Sequence, residues 1–215
     1  MIPNWAVERE QMVEKQLRGR DIRDERVLRA MREIPREEFV PPEFRILAYR
    51  DEPCHIGYGQ TISQPYMTAL MAQELALRGD ETVLEVGAGC GYAAAVLGAL
   101  AARVITVEIV PGLVERARAN LRRTLRDGNI VVVQGDGSIG FAEAAPYDAI
   151  SVAAGAPEVP QSLVDQLADP GRLAIPVGDR EKQELRVVWK DRGRVGYRVS
   201  THCRFVLLRG GEGWN

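Results

Sequence analysis

The sequence predicts an α/β protein with a doubly wound, mostly parallel sheet of seven strands, preceded by N-terminal helices. From Glu81 onward, short apolar strands alternate with helices, a rhythm typical of parallel sheets that are covered on both faces. A glycine-rich turn joins the first of these strands to the helix that follows it. Near the end of the chain, two strand-like segments flank a turn at 191–194, which predicts an antiparallel pair that closes the sheet.

The N-terminal part of the chain reads as helices and one polar loop. Apolar residues at helical spacing predict helices at residues 6–18, 24–33 and 64–77. Pro35 ends the second helix, and the proline-rich stretch 35–44 is expected to be irregular. Pro65 suits the first turn of the third helix and Gly79 lies just past its end. The polar, glycine-bearing segment 58–66 is predicted to be a loop that leads into this helix.

The remaining elements follow from short apolar runs and the helical stretches between them. Predicted strands lie at residues 82–86, 103–108, 130–134, 147–152, 172–177, 184–190 and 195–208. Predicted helices lie at residues 92–102, 111–125 and 161–168. A chain of 215 residues with 46% apolar content is large enough to bury one core. We therefore expect a single domain over 1–215, in which residues 1–80 hold the helices and the loop and residues 81–215 form the sheet.

Charge and cysteine content exclude several classes of protein. The net charge of −2 argues against a nucleic-acid-binding surface built on bulk charge. The widely spaced Cys54, Cys90 and Cys203 fit reduced thiols, and with two histidines in the chain we expect no metal site. The N-terminus is charged, and the longest apolar stretch, 93–102, is too short to span a bilayer. We expect a cytoplasmic monomer with no nucleic-acid or membrane partner.

Gly87, Gly89 and Gly91 lie between a predicted strand and a predicted helix. In that position glycines permit a tight turn and let the backbone approach a ligand closely. The spacing is G-x-G-x-G, whereas nicotinamide-binding proteins prefer G-x-G-x-x-G. By itself the pattern also fits a strand–helix turn without a ligand.

Two carboxylates narrow the choice of ligand. Glu108 ends the second predicted strand, where it can accept hydrogen bonds from both ribose hydroxyls of a nucleoside, although alone it also fits a solvated strand end. Asp136 follows the third strand and can accept from an adenine amino group. Ligands of open α/β sheets lie at the carboxyl ends of the strands, where these residues and the glycines fall. We therefore predict an adenosine-type cofactor, S-adenosylmethionine, and a Rossmann-like class I methyltransferase fold.

Six motifs follow one another along most of the chain. They are P-R-E-E-F-V-P-P at 35–42, Y-G-Q-T-I-S-Q-P-Y-M at 58–67, E-V-G-A-G-C-G-Y at 85–92, G-D-G at 135–137, A-P-Y-D-A-I at 145–150 and G-R-L-A-I-P-V-G at 171–178. In order and spacing they resemble the protein-L-isoaspartate (D-aspartate) O-methyltransferase family, and Q-T-I-S-Q-P is the most specific of them. Cys54, His55, Cys90 and Leu207 depart from the residues usual in that family. These departures affect the expected peptide preference more than the expected activity.

The resemblance implies a repair enzyme. Such enzymes transfer a methyl group from S-adenosylmethionine to the free α-carboxylate of L-isoaspartyl residues in damaged proteins and peptides, leaving S-adenosylhomocysteine. The methyl ester then closes to a succinimide, whose hydrolysis returns some L-aspartyl residues. Ser63 matches the family's active-site serine, which makes segment 58–66 the active-site loop. The predicted cofactor-binding residues are Thr61, Ile62, Gln64, Glu85, Gly87, Ala88, Gly89, Gly91, Glu108, Ile109, Asp136 and Gly137.

Methylation of a carboxylate needs no strong base, because the nucleophile is already ionised at neutral pH. Catalysis should come from holding oxygen, methyl carbon and sulfur in line and from excluding water. Our hypothesis is that the Ser63 hydroxyl donates a hydrogen bond that orients the carboxylate; the same serine also suits an N-cap of the next helix. Segments 40–41 and 153–156 are candidates for a shallow substrate groove, and they equally suit plain packing and turn residues.

Two other functions stay open at the level of sequence. The first is an S-adenosylmethionine-dependent methyltransferase for a single peptide or small-molecule carboxylate, which a wide substrate screen would reveal. The second is a non-catalytic protein that binds S-adenosylmethionine, against which Ser63, Glu108 and Asp136 argue. Cofactor binding without methylation of any isoaspartyl peptide would favour the second.

Overall fold

The structure, a computed structural model, describes residues 3–125 and 128–214. In that part of the chain the helices are α1 (Trp5–Gln11), α2 (Glu25–Glu33), α3 (Pro65–Leu75), α4 (Tyr92–Gly98), α5 (Pro111–Thr124) and α6 (Gln161–Asp165). The strands are β1 (Cys54–Gly57), β2 (Gln60–Ile62), β3 (Thr82–Val86), β4 (Arg103–Glu108), β5 (Ile130–Gln134), β6 (Tyr147–Val152), β7 (Leu167–Gly178), β8 (Gln183–Asp191) and β9 (Arg194–Cys203).

Strands β3 to β9 form one sheet in the order β5-β4-β3-β6-β7-β8-β9. Pairing is parallel from β5 to β7 and antiparallel between β7, β8 and β9. The predicted fold class is confirmed, including the antiparallel end of the sheet. Chain order reverses between the neighbours β3 and β6, and ligands of open α/β sheets bind beyond the carboxyl ends of the strands at such a switch point.

The core lies on both faces of this sheet because successive residues of each buried strand point in opposite directions. On β3, Val83 packs into a cluster with the N-terminal helices, α3 and α4. The next residue, Leu84, packs into a second cluster that includes Leu163 of α6. Apolar side chains on both sides explain why these strands are apolar along nearly their whole length.

Several predicted boundaries were wrong. The helix predicted at 161–168 ends at Asp165, and Leu167 instead pairs with Tyr147 of β6. A helix continued through this region would meet Pro170, which has no amide hydrogen to donate. The helix predicted at 64–77 ends at Leu75, where Ala76 turns into the left-handed conformation with φ of 50°.

Other differences are smaller. The helix predicted at 92–102 ends at Gly98, and the last strand ends at Cys203 rather than at residue 208. The first predicted helix continues past α1 as a π-helical segment, Met12–Arg18. The stretch predicted to be irregular contains two 3₁₀ segments, Arg36–Glu38 and Pro42–Leu47.

The predicted loop at 58–66 is in part a β-hairpin. Strands β1 and β2 pair antiparallel, with Cys54 opposite Ile62. At the tip, Gly57, Tyr58 and Gly59 have φ angles of 85°, 56° and 69°, which is the conformation of tight hairpin turns. Ser63 follows β2 directly and precedes α3, so the hairpin and the helix together set its position.

The described residues contain no helix that is both long and apolar enough to cross a membrane. In the same part of the chain, no group of three or more His, Cys, Asp or Glu side chains is arranged to hold a metal ion.

Candidate active site

The turn between β3 and α4 requires its glycines. Gly87, Gly89 and Gly91 have φ angles of 93°, 54° and 89°, values that side chains with a Cβ rarely adopt. A Cβ on Gly89 would lie 3.2 Å from Cδ1 of Ile56, and one on Gly91 would lie 3.2 Å from Cγ of Leu121 on α5. The first contact would crowd hairpin strand β1, and the second would push α5 from the turn.

Glu108 ties this turn to the start of α5. Its Oε2 accepts from the backbone amide of Gly89 at 2.8 Å and its Oε1 accepts from that of Val110 at 2.9 Å. The residue is only 6% exposed. Because a carboxylate accepts about four hydrogen bonds, each oxygen retains one acceptor position, and this pair of positions fits two adjacent hydroxyls of a ribose.

An open cavity of about 840 Å³ lies over the turn and Glu108. It is lined by Gln60, Thr61, Ile62, Ser63, Thr68, Val86, Gly87, Ala88, Gly89, Cys90, Tyr92, Ala93, Val107, Glu108, Ile109, Val110, Leu113, Gly137, Ala153, Ala154, Val206, Leu207, Leu208 and Arg209. A mostly apolar lining with a few polar groups is typical of small-molecule sites. The walls are mostly apolar, and Glu108 is the carboxylate among the lining residues described. Such a site suits a nucleoside, whose flat base packs against apolar walls and whose ribose hydroxyls donate to a carboxylate.

A smaller cavity of about 320 Å³ adjoins the first. Its lining is Pro53, Thr61, Ser63, Gln64, Met67, Ala153, Arg204, Phe205 and Val206. The residues that line both cavities are Thr61, Ser63, Ala153 and Val206. Ser63 therefore stands at the boundary between a large site and a small one.

The capping interpretation of Ser63 was wrong. The N-cap of α3 is Gln64, with no side-chain capping bond, and the carboxylate of Asp51 accepts from the amide of Tyr66 instead. The Ser63 carbonyl accepts from Nη2 of Arg36 at 2.6 Å. Its hydroxyl makes no hydrogen bond with any residue in the described ranges, so it is available to a ligand.

Asp136 serves local structure in this arrangement. Its Oδ1 accepts from the amide and hydroxyl of Ser138, and its Oδ2 accepts from the amide of Gly211 at 2.7 Å. Partial burial opposes ionisation, but the bonds from Gly211 and Ser138 outweigh it and lower the pKa of Asp136. It does not line either cavity, whereas the next residue, Gly137, lines the larger one. The contact with an adenine amino group stays a prediction, for which Oδ2 retains an acceptor position.

Glu85 lies inside the sheet rather than on a cavity wall. The side chain is fully buried, Oε2 accepts from the hydroxyl of Thr106, and Oε1 has no partner among the described residues. Burial raises the pKa of Glu85 to about 8, and the nearby Glu108 carboxylate adds to the increase. Glu85 therefore holds a proton at neutral pH.

Comparison with known proteins agrees with this geometry. The family model described as protein-L-isoaspartate(D-aspartate) O-methyltransferase matches residues 7–213. The chain belongs to this family. Similar family members include the protein-L-isoaspartate O-methyltransferase of Methanoculleus marisnigri, 53% identical over 96% of this chain and 94% of that protein. Another, from Rhodopseudomonas palustris, is 51% identical over 98% of this chain and 86% of that protein.

A solved structure of a family member shows the same fold. The Plasmodium falciparum protein, described as a protein-L-isoaspartate O-methyltransferase in complex with S-adenosyl-L-homocysteine, superposes with a TM-score of 0.82. It is 28% identical, and the match covers 94% of this chain and 98% of that one.

The site brings together most residues that the sequence predicted. The larger cavity is lined by Thr61, Ile62, Ser63, Gly87, Ala88, Gly89, Glu108, Ile109 and Gly137, and the smaller one by Gln64 with Thr61 and Ser63. Three predicted cofactor-binding residues, Glu85, Gly91 and Asp136, line neither cavity. Gly91 contributes by letting α5 pack closely against the turn.

Other lining residues had not been predicted. Val206 to Arg209 approach from the end of the chain, where Leu207 bridges to Gly155. No local pattern marks them, because the contact joins segments about fifty residues apart. Ala153 and Ala154, by contrast, belong to segment 153–156, a candidate for the substrate groove; both line the larger cavity, and Ala153 also lines the smaller one. Segment 40–41 lines neither cavity, and Val40 is buried in the core.

Proposed function

We propose that this chain methylates the free α-carboxylate of L-isoaspartyl residues in damaged proteins and peptides, using S-adenosylmethionine, and so begins their repair. The observation that carries the proposal is the position of Ser63. In a chain of this family, it stands with a free hydroxyl between the larger cavity over the glycine turn and Glu108 and the smaller cavity beside Arg204. The methyl ester then closes to a succinimide without further help from the enzyme.

The larger cavity is the cofactor site in this proposal. When bound, S-adenosylmethionine supplies an electrophilic methyl group on a sulfonium sulfur. Glu108 holds the ribose hydroxyls with its two remaining acceptor positions, and the glycine turn lets the backbone come close to the ligand. The S-adenosyl-L-homocysteine complex of the Plasmodium falciparum protein supports this assignment.

The smaller cavity receives the isoaspartyl carboxylate. Arg204 is exposed and supplies the positive charge of the lining, which contains no acidic residue among those described. The Ser63 hydroxyl donates to one carboxylate oxygen and turns the other towards the cofactor site. No described histidine lines either cavity, in keeping with a nucleophile that is ionised before it binds. The rate enhancement then comes from alignment and from exclusion of water.

Paired isoaspartyl and aspartyl peptides of one sequence test the proposal. With methyl-labelled S-adenosylmethionine, only the isoaspartyl peptide should give an ester that releases labelled methanol in mild base. Several unrelated isoaspartyl peptides should all react. Reaction of one peptide or small molecule alone would support the narrower methyltransferase, and cofactor binding without any methylation would support a sensor.

Ser63→Ala tests the role of the hydroxyl. A hydrogen bond to a charged group contributes about 1.5–3 kcal/mol, so kcat/KM for the isoaspartyl peptide should fall roughly 10- to 100-fold while affinity for S-adenosylhomocysteine is retained. Ser200→Ala is the control, because Ser200 bonds to Glu74 at the sheet edge. Unchanged turnover in Ser63→Ala would remove the serine from the mechanism.

The proposal also includes a monomeric, cytoplasmic enzyme that works without a nucleic-acid or membrane partner. The net charge of −2 supports the absence of a nucleic-acid partner. The free thiols of Cys54, Cys90 and Cys203 support the cytoplasm, since reduced cysteines are usual in a reducing compartment. Light scattering coupled to gel filtration should give a mass near 23.8 kDa. A mass of twice that value would contradict the monomer.

A further inference from the structure

Arg36 is a buried cation that joins three segments behind the active site. It is 0% exposed. Its Nε donates to the carbonyl of Ala48 at 2.7 Å and its Nη2 donates to the carbonyl of Ser63 at 2.6 Å. The guanidinium carbon lies 4.8 Å from the ring centre of Tyr92, which lines the larger cavity.

No carboxylate among the described residues neutralises this charge. The neighbouring carboxylate, Glu37, is engaged by Arg9 at 3.0 Å and by the hydroxyl of Tyr49. The Nη1 group of Arg36 has no hydrogen-bond partner in the described part of the chain. Burial lowers the pKa of Arg36 from its ordinary value, although a guanidinium keeps its proton in proteins.

Such an arrangement is unfavourable as a device for stability. A buried ion without a counter-ion loses its hydration with no attraction to a partner in return, and an unpaired buried donor adds to that cost. An apolar side chain of similar volume would fill the same space without either penalty, but it would leave the carbonyls of Ala48 and Ser63 without this donor. The contacts that only a guanidinium makes here are its two bonds to carbonyls of separate segments.

One of those carbonyls belongs to Ser63. Ser63 lies between β2 and α3, outside regular secondary structure, and its side chain does not cap the helix. The bond from Arg36 restrains the peptide plane that follows Ser63, and with it the Cα–Cβ bond from which the hydroxyl projects. Holding a reacting group to a fraction of an ångström is what an alignment mechanism requires.

We infer that Arg36 is a positioning residue, which holds the Ser63 backbone so that the hydroxyl meets the acceptor carboxylate in the reactive orientation. The inference rests on the proposed role of Ser63. It assigns to a residue that lines neither cavity an effect on the methyl-transfer rate, exerted through Ser63. It also explains why a costly charge is buried behind the wall that Tyr92 forms.

Three variants test the inference: Arg36→Met, Arg36→Lys and, as a control, Arg26→Met. Arg26 also donates to two backbone carbonyls, those of Leu77 and Leu100, but lines neither cavity. Turnover of an isoaspartyl peptide is expressed per S-adenosylhomocysteine-binding site, measured by calorimetry, so that unfolded protein does not count. Arg36→Met should lose at least tenfold in kcat/KM with S-adenosylhomocysteine affinity changed less than threefold, and Arg26→Met should lose less than threefold.

The order of activity per binding site of Arg36→Lys and Arg36→Met distinguishes a positioning role from a packing role. Lysine retains a donor that can reach one carbonyl, so Arg36→Lys should be more active per site than Arg36→Met. If the side chain only filled space, the apolar methionine would equal the wild type per site and the buried lysine would be worse. That order would overturn the inference.

A double-mutant cycle with Ser63→Ala identifies the route. If Arg36 acts through the Ser63 hydroxyl, adding Arg36→Met to Ser63→Ala should cost less than threefold. Losses that multiply would overturn the route through Ser63. Full activity of Ser63→Ala would refute the role of the serine itself, whereas a loss in Ser63→Ala with full activity in Arg36→Met would refute the role of Arg36 alone.

Discussion

Replacement of Glu85 by glutamine should change how the unfolding free energy depends on pH. The side chain is fully buried, and burial raises the pKa of Glu85 from 4.5 to about 8. The folded protein therefore keeps this proton up to about pH 8, whereas the unfolded chain releases it near pH 4.5. Because the folded state binds more protons between these values, the unfolding free energy falls as pH rises through this range and levels off above pH 8.

The magnitude follows from the width of that range. The interval from 4.5 to about 8 corresponds to about 5 kcal/mol at 1.36 kcal/mol per pH unit. Glutamine does not titrate, so Glu85→Gln should gain several kcal/mol relative to the wild type between pH 5 and pH 9. Loss or gain of the bond with Thr106 adds an offset that is the same at every pH.

Urea unfolding at pH 5, 7 and 9 measures this difference. Glu115→Gln is the matched control, since Glu115 pairs with Arg118 on the exposed surface of α5. Wild type and Glu85→Gln curves that stay parallel within about 1 kcal/mol would refute the reasoning. Affinity for S-adenosylhomocysteine should change less than threefold, because Glu85 lines neither cavity; a large loss would instead support its predicted cofactor contact.

Three further predictions concern the larger cavity. In the wild type the amides of Gly89 and Val110 donate to the Glu108 carboxylate, and Glu108→Gln sets an N–H₂ group against one of them. Affinity for S-adenosylhomocysteine should therefore fall about 10- to 100-fold. Unchanged affinity in calorimetry would contradict the ribose assignment. Gly89→Ala places an alanine where φ is 54° and brings its Cβ within 3.2 Å of Cδ1 of Ile56. Urea unfolding should therefore show that the unfolding free energy falls by about 1–2 kcal/mol. Equal stability would show that the turn relaxes freely. Burial raises the pKa of Cys90 to about 11, so the folded protein at pH 8 should resist iodoacetamide at this thiol; peptide mapping that finds rapid labelling before unfolding would contradict it.

The sheet could be predicted because its elements depend on local patterns. Apolar runs and the helices between them placed β3 to β6 correctly, and the carboxyl-edge rule placed Gly87 and Glu108 beside one cavity. The hairpin at 54–62 does not follow from strand patterns, because β1 and β2 have only four and three residues. The glycines on either side of Tyr58 are the local signal for its turn, where all three residues have positive φ.

The rest of the site depends on contacts that no local pattern encodes. Ser63 was identified through family resemblance, since its residue type equally suits a helix cap. The approach of Val206 to the cavity follows from a bridge between Leu207 and Gly155, which requires the whole sheet to be in place. Arg36 could not be recognised, because arginine in a sequence is ordinarily a surface residue and only the fold shows it to be buried.

Arg36 and Glu108 have a common physical reason for being buried. Both lie beside backbone that belongs to no helix or strand: Arg36 donates to the carbonyls of Ala48 and Ser63, and Glu108 accepts from the amides of Gly89 and Val110. Apolar side chains can pack against such segments but cannot pair their polar groups, which buried backbone requires. A cation suits a place where carbonyls converge, and an anion suits a place where amides converge.

This arrangement fits the chemistry. Methyl transfer to an ionised carboxylate asks little of acids and bases and much of geometry, so the charges of the site are best used to fix the backbone on which reacting groups are carried. Glu108 sets the turn under the cofactor and Arg36 sets the serine before the acceptor. Removing the charge of either residue should therefore affect a different step. Glu108→Gln should lower cofactor affinity, and Arg36→Met should lower turnover at nearly unchanged affinity.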